Sequence, residues 1–169
     1  GYSSALLVAE GALSRVDAFA LVLHFPSVEC GFLDFIAVRP GLRGSGIGGA
    51  IYEAAREYFQ RLGAKGLYLE VEPDDPELTR DPKECEDARR RIRFYEQYGV
   101  RVVDGTDYSV PVGDPPTTAL LLYDGLGRME PLSRRDAQQA VEMILTKRFR
   151  HVASPEYTHR VVESFRDDP

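Results

Sequence analysis

Cysteine is scarce in this chain. Cys30 and Cys85 are the only two in 169 residues, and they stand far apart. That argues against a disulfide framework and a cysteine metal cluster, and makes a reducing, cytoplasmic compartment the expectation. Histidine is as sparse: His24, His151 and His159 have no ligand spacing, so no metal is expected. Positive charge is in deficit, with 21 Lys and Arg against 27 Asp and Glu, a net −6. Without a basic excess, neither nucleic acid nor an anionic membrane is an expected partner, whereas an acidic surface favours cationic acceptors such as amines. The apolar runs are strand-sized and fall short of the ~20 residues that cross a bilayer. Internal repeats, low-complexity tracts and a signal-peptide pattern are also missing. The chain opens at Gly1 rather than Met and a strand pattern starts by Ala5, so the leading glycine is read as a cloning scar or the mark of a truncation.

At this length one domain with a sizeable core is expected. Residues 5–10, 16–25 and 32–38 read as three strands joined by short links, which favours an antiparallel meander. A helix follows: Ile47, Ala50, Ile51, Ala54, Ala55, Tyr58, Phe59 and Leu62 fall on one face of a 3.6-residue period, with Gly63 as its stop. Residues 65–72 alternate as a strand, with Glu70 and Glu72 sharing a face with Tyr68. A polar, Pro-rich loop is expected over residues 73–84, then a helix over 85–99. Two further strands, 100–104 and 117–124, bracket a loop containing Tyr108, Pro115 and Pro116. Ser133 with Asp136 reads as the cap of a helix reaching about Arg150, and Ser154 with Pro155 opens a last short one.

The segment "VRPGLRGSGIGGAIYEAA" carries the first chemical signal. Gly44, Gly46 and Gly49 satisfy G-x-G-x-x-G, the written fingerprint of a dinucleotide fold, with acidic residues ~20 positions on. Three features oppose a nicotinamide site. "RPGLR" separates the strand from the glycines, the preceding strands form a meander rather than a parallel β-α-β start, and the chain after Glu72 is too short for a second half. No Gly-Lys-Ser/Thr closes a P-loop. Glycines opening a helix leave backbone N–H groups accessible, and the helix end adds about half a positive charge, so an anion is indicated. A turn that merely caps the helix is the alternative, although four glycines within six residues exceed what a cap needs.

This segment resembles the acyl-CoA-binding motif of the GNAT superfamily of N-acetyltransferases, R/Q-x-x-G-x-G/A, met by Arg43, Gly46 and Gly48. "RFYEQYGV" resembles the family's later Tyr helix. The resemblance covers residues 5–124 and implies an α/β (α+β) fold: a mixed, mostly antiparallel sheet flanked by helices. It also implies a bulge in the strand before the glycines. The backbone of Ile36, Ala37 and Val38 would pair with the pantetheine arm. Amides of Arg43, Gly44, Ser45, Gly46, Ile47, Gly48 and Gly49 would hold the pyrophosphate of acetyl-CoA. The family's first strand and next two helices have no counterpart before Ala5, its usual Asn is not evident, and Val100 stands where Phe is usual. Residues 1–124 are thus expected to be the core. Residues 125–169 are expected to be a helical extension, packed on the same domain or against a second copy in a homodimer.

The implied reaction is acetyl transfer to a small-molecule or peptide amine by direct attack in a ternary complex. It calls for a carboxylate base and an acid rather than a covalent nucleophile. The resemblance makes Tyr95 the acid that protonates the CoA sulfur, the alternative being an aromatic packed on its helix. Glu70, in "LEV", resembles the base of the ribosomal-protein alanine acetyltransferases; a solvated strand end is the alternative. Asp34 is the rival base: apolar neighbours on both sides suggest burial, which would raise its pKa, while pairing with an arginine or with backbone would make it structural. Arg89, Arg90, Arg91 and Arg93 could meet the CoA 3′-phosphate or be a solvated face balancing the acidic loop. Two other functions stay open: a catalytically silent acyl-CoA-binding module and, less favoured, an NAD-dependent oxidoreductase.

Overall fold

The computed structural model describes residues 1–78, 81–113 and 117–166. Thr79 and Arg80 of the expected acidic loop, and Pro115 and Pro116 of the Tyr108 loop, lie outside the described residues. Among the described residues are six strands and four α-helices, an α/β architecture. They divide into two compact units, Gly1–Leu67 and Tyr68–Pro169.

In the first unit β1 (Ser3–Glu10), β2 (Val16–Phe25) and β3 (Cys30–Val38) form the antiparallel meander that their short connections require. Helix α1 (Ile47–Arg61) packs on these strands, burying Ile51, Ala55 and Phe59 of the face its period predicts together with Tyr52, which lies beside that face, while Ala50 and Leu62 are exposed. Gly63 ends it in the left-handed region, with Ala64 N–H donating to Phe59 O at 3.0 Å.

One irregularity in β3 organises this packing. Leu21 faces Phe35 but Val22 faces Leu33, so Asp34 is an extra, bulged residue. Strand side chains alternate, and the bulge therefore flips the parity of β3. Ile36 and Val38 lie on the same face as Ala20 and Ala18, the α1 side; beyond the bulge Leu33 and Gly31 take that face. Phe35 is left 57% exposed. Gly31 sits beneath Phe59, where a Cβ would stand 2.5 Å from the ring carbons. Gly31→Ala should therefore destabilise the fold by about 1–3 kcal/mol, the usual range for overpacking. An unchanged midpoint in chemical denaturation would show that the ring yields freely.

In the second unit the strand order is β4 (Gly66–Val71), β6 (Leu120–Asp124), β5 (Arg101–Val102), and the chain divides inside β4. Every β4 residue is buried except the half-buried Glu70. Helix α2 (Pro82–Glu96) begins earlier than expected. Asp81 caps it by accepting from Lys83 N–H, and Pro82 takes the first helical position, where its fixed φ suits a helix start. The Pro-rich stretch was thus partly a helix start rather than all loop. Its inner face is Cys85, Ala88, Ile92 and Tyr95. Helix α3 (Arg134–Met143) starts at the Ser133–Asp136 capping pair and widens into a π-helical turn over Ile144–Arg148. Helix α4 (Pro155–Ser164), capped by Ser154, packs against α3. No described helix is long and apolar enough to cross a membrane.

Candidate active site

The first unit carries the glycine turn. Arg39 anchors its entrance: its guanidinium donates to Asp17 Oδ1 at 2.7 and 3.0 Å, and its N–H to Asp17 O at 2.8 Å. Ser45 closes the turn on Leu42 O through its N–H at 3.2 Å and its hydroxyl at 2.6 Å. Gly44 and Gly46 have φ of +82° and +87°, which L side chains adopt only at a cost. A Cβ on either would meet nothing within 4 Å, so conformation and not packing excludes a side chain within the protein. Gly46 is the N-cap of α1, and no side chain caps that helix end.

A capping role accounts for Gly44 and Gly46 but not for Gly48 and Gly49. Those two lie within the first helical turn, where each costs about 0.5–1 kcal/mol relative to alanine. Gly48 faces β3, where a Cβ would reach ordinary contact with Val38 at 3.5 Å. An open turn, an uncapped helix start and helical glycines suit a phosphate group, which meets backbone N–H and the helix dipole there. Ile36 and Val38 are half-buried and Ala37 is exposed, as are Arg43, Gly44, Ser45 and Gly46. Gly46→Asp should weaken acetyl-CoA binding more than tenfold in calorimetric titration, because the side chain would obstruct and repel phosphate. Since Asp tolerates left-handed backbone, stability should fall by only about 1–2 kcal/mol. Retained affinity in a folded variant would place the phosphate elsewhere.

Asp34 also belongs to the first unit. It is half-buried on the bulge of β3, which corrects the expectation of a buried carboxylate. Its apolar neighbours in sequence do not bury it, because the bulge takes it out of the regular alternation of the strand.

The second unit carries Glu70 and Tyr95. Glu70 accepts a hydrogen bond from the hydroxyl of Tyr108, a residue whose role in the site the sequence did not signal. Tyr108 is 6% exposed, and burial raises its phenol pKa well above the ordinary value, with the Glu70 charge and hydrogen bond adding to the rise. The phenol therefore stays protonated and acts as the donor. Tyr95 is 3% exposed on the inner face of α2, its ring edge-on to Phe94 at 5.1 Å between centroids. Burial pushes its pKa up to about 12; Arg91 opposes the rise and Glu72 adds to it. It is thus a packed aromatic that also keeps its proton at neutral pH.

Three of the four arginines have partners. Arg91 pairs with Glu72, Arg89 with Asp74 at 3.4 Å, and Arg90 with Asp87 and Glu86 at 3.4 and 3.8 Å. This is a solvated face, with Arg89 turned to Asp74 of the acidic loop, Arg90 to its own helix and Arg91 to the end of β4. Cys30 and Cys85 are free and buried; burial pushes the Cys30 thiol up to about 12, far from a reactive thiolate. Among the described residues, no group of three His, Cys, Asp or Glu could hold a metal ion.

An antiparallel meander leading into a glycine-rich helix start is not the parallel β-α-β start of a dinucleotide fold. Residues 7–100 match the acetyltransferase (GNAT) family, and the chain belongs to that family. A protein of the GNAT family from Bacteroides thetaiotaomicron is similar in structure, with 23% identity, a TM-score of 0.64 and coverage of 86% of this chain and 73% of that one. The ribosomal-protein-S18-alanine N-acetyltransferase of Escherichia coli gives 20%, 0.54, 75% and 72%. Nourseothricin acetyltransferase gives 23%, 0.53 and 71%, and this chain spans 64% of its length. A comparison with curated proteins finds no match for this chain. The family's shared chemistry is acyl transfer from acetyl-CoA.

Proposed function

We propose that this chain is an acetyl-CoA-dependent N-acetyltransferase that acetylates a primary amine by direct attack within a ternary complex. The observation that carries the reading is the open glycine turn at an uncapped start of α1, within a chain that matches the family over residues 7–100. The N–H groups of residues 43–49 would hold the pyrophosphate, and the backbone of residues 36–38 the pantetheine arm. Residues 125–166 would be a helical extension of the family core.

Acetyl-CoA would supply the acyl group already activated as a thioester, so no covalent intermediate on the protein is needed. The acceptor sets the harder requirement. A lysine-like amine has a pKa near ~10.4, and removing its proton at pH 7 costs about 4.6 kcal/mol. Glu70 takes that proton on its carboxylate, directly or through one water. Tyr95 holds a proton on its hydroxyl across the neutral range and donates it to the leaving sulfur. A pKa near 12 makes it a weak acid, so its donation must coincide with charge developing on sulfur. The acidic composition is consistent with a cationic acceptor.

Free-thiol release from acetyl-CoA, measured across a panel of peptide and small-molecule amines, tests the reading. Amine-dependent release supports it. Acetyl-CoA binding with no release on any amine would favour a silent acyl-CoA module, and thermal stabilisation by NAD alone would sink both.

A further inference from the structure

The residues that hold Tyr108 lie in a part of the chain that the family match does not reach. The loop after β5 is fastened to α4 and the residues just after it. Gly105, at φ +70°, lies against Arg166, whose side-chain carbons would stand 3.0–3.4 Å from a Cβ there. Asp107 N–H donates to Ser164 Oγ at 2.8 Å, and the Thr106 hydroxyl lies 3.3 Å from the same oxygen. On the far side of Tyr108, the Tyr157 hydroxyl donates to Ser109 O at 2.6 Å and lies 2.8 Å from Ser109 Oγ. Between these two attachments Tyr108 points inward, and its hydroxyl meets Glu70.

We propose that Tyr108 is a positioning residue for the Glu70 carboxylate, and that α4 serves the reaction by clamping the Tyr108 loop from both sides. The inference rests on the reading of Glu70 as the base. The physical case has three parts. A carboxylate on a buried strand can swing among rotamers, and a donor fixed on a clamped loop selects one of them. Hydrogen bonding to the charged form also favours that form, so removing the Tyr108 donor should make the Glu70 carboxylate easier to protonate. Finally, a phenol that does not ionise in the working range cannot stop donating. Tyr157 on α4 is the other ionisable group acting on Tyr108, while Glu72 and Arg91, on the end of β4 and on α2, act on Tyr95.

The test reads the contact and the reaction separately. A ¹³C NMR titration of the glutamate carboxyls, with the Glu70 signal assigned by its loss in Glu70→Gln, reports the charge on Glu70 without turnover. In Tyr108→Phe the Glu70 midpoint should rise by about one pH unit, the size expected when a hydrogen bond to a charged group is lost. The acidic limb of kcat/KM should move up by the same amount, with KM for acetyl-CoA unchanged. Tyr157→Phe, which releases only the Ser109 side of the clamp, should shift both in the same direction by less, and it carries the test if Tyr108→Phe does not fold. An unmoved Glu70 midpoint in the folded variant overturns the proposal. A moved midpoint with an unmoved kinetic limb also overturns it, since the contact would then be structural only. The Glu70→Gln enzyme judges the underlying reading independently: an intact acidic limb there removes Glu70 as base, whatever Tyr108 does.

Discussion

Replacing Tyr95 by phenylalanine should lower turnover with a true acceptor by ~10²–10⁴-fold, the range for loss of a positioned proton donor. The ring makes the packing contact with Phe94 and fills the inner face of α2, so phenylalanine keeps both. Losing one buried hydroxyl should change stability by about 1 kcal/mol. Acetyl-CoA affinity should hold, because the hydroxyl acts on sulfur chiefly as the bond breaks, and such a group lowers kcat without changing ground-state binding. The decisive comparison is single-turnover rate against acetyl-CoA affinity in the two proteins. Normal turnover in Tyr95→Phe would mean that the thiolate leaves without that proton.

The second large effect is expected at Glu70. Glutamine is nearly isosteric and its carbonyl oxygen can still accept from Tyr108, so the local geometry should survive while the capacity to take a proton is lost. The rate should fall by ~10²–10⁴-fold and the acidic limb of the pH–rate profile should vanish, since that limb reports the free enzyme's essential base. Asp34→Asn is the matched control. Asp34 sits half-buried on the β3 bulge, where asparagine should be tolerated. Loss of the limb in Asp34→Asn, with the limb intact in Glu70→Gln, would transfer the role to Asp34.

Much of the fold was legible in the sequence wherever one short window contains the whole cause. The apolar period of residues 47–62 marks α1 and the Ile51, Ala55 and Phe59 line of its buried face, because residues three and four positions apart are neighbours on a helix, while the burial of Tyr52 depended on what the helix packs against. Short polar links between residues 5 and 38 imply an antiparallel meander, because a parallel crossover needs a longer connection. The glycine turn was visible for the same reason: it is a local backbone geometry followed directly by a helix start. Even the mistaken start of α2 was a local matter, since Asp81 followed by Pro82 is itself a cap signal.

What only the tertiary structure decided are the features that depend on a partner distant in sequence. The resemblance implied a bulge in the strand before the glycines, but its place at Asp34 exists only in the register of β3 against β2, and it makes Leu33 rather than Asp34 share a face with Val22. Tyr108 lies 38 positions from Glu70, on an aperiodic loop, and is aimed by the hydroxyls of Tyr157 and Ser164, which hold its neighbours Ser109 and Asp107 across 48 and 57 positions. Neither composition nor period encodes such a meeting, because a loop side chain takes its direction from whatever the loop docks against. Local chemistry therefore determined the open glycine turn and the helix that it starts. Which carboxylate is held, and by which phenol, was determined by packing.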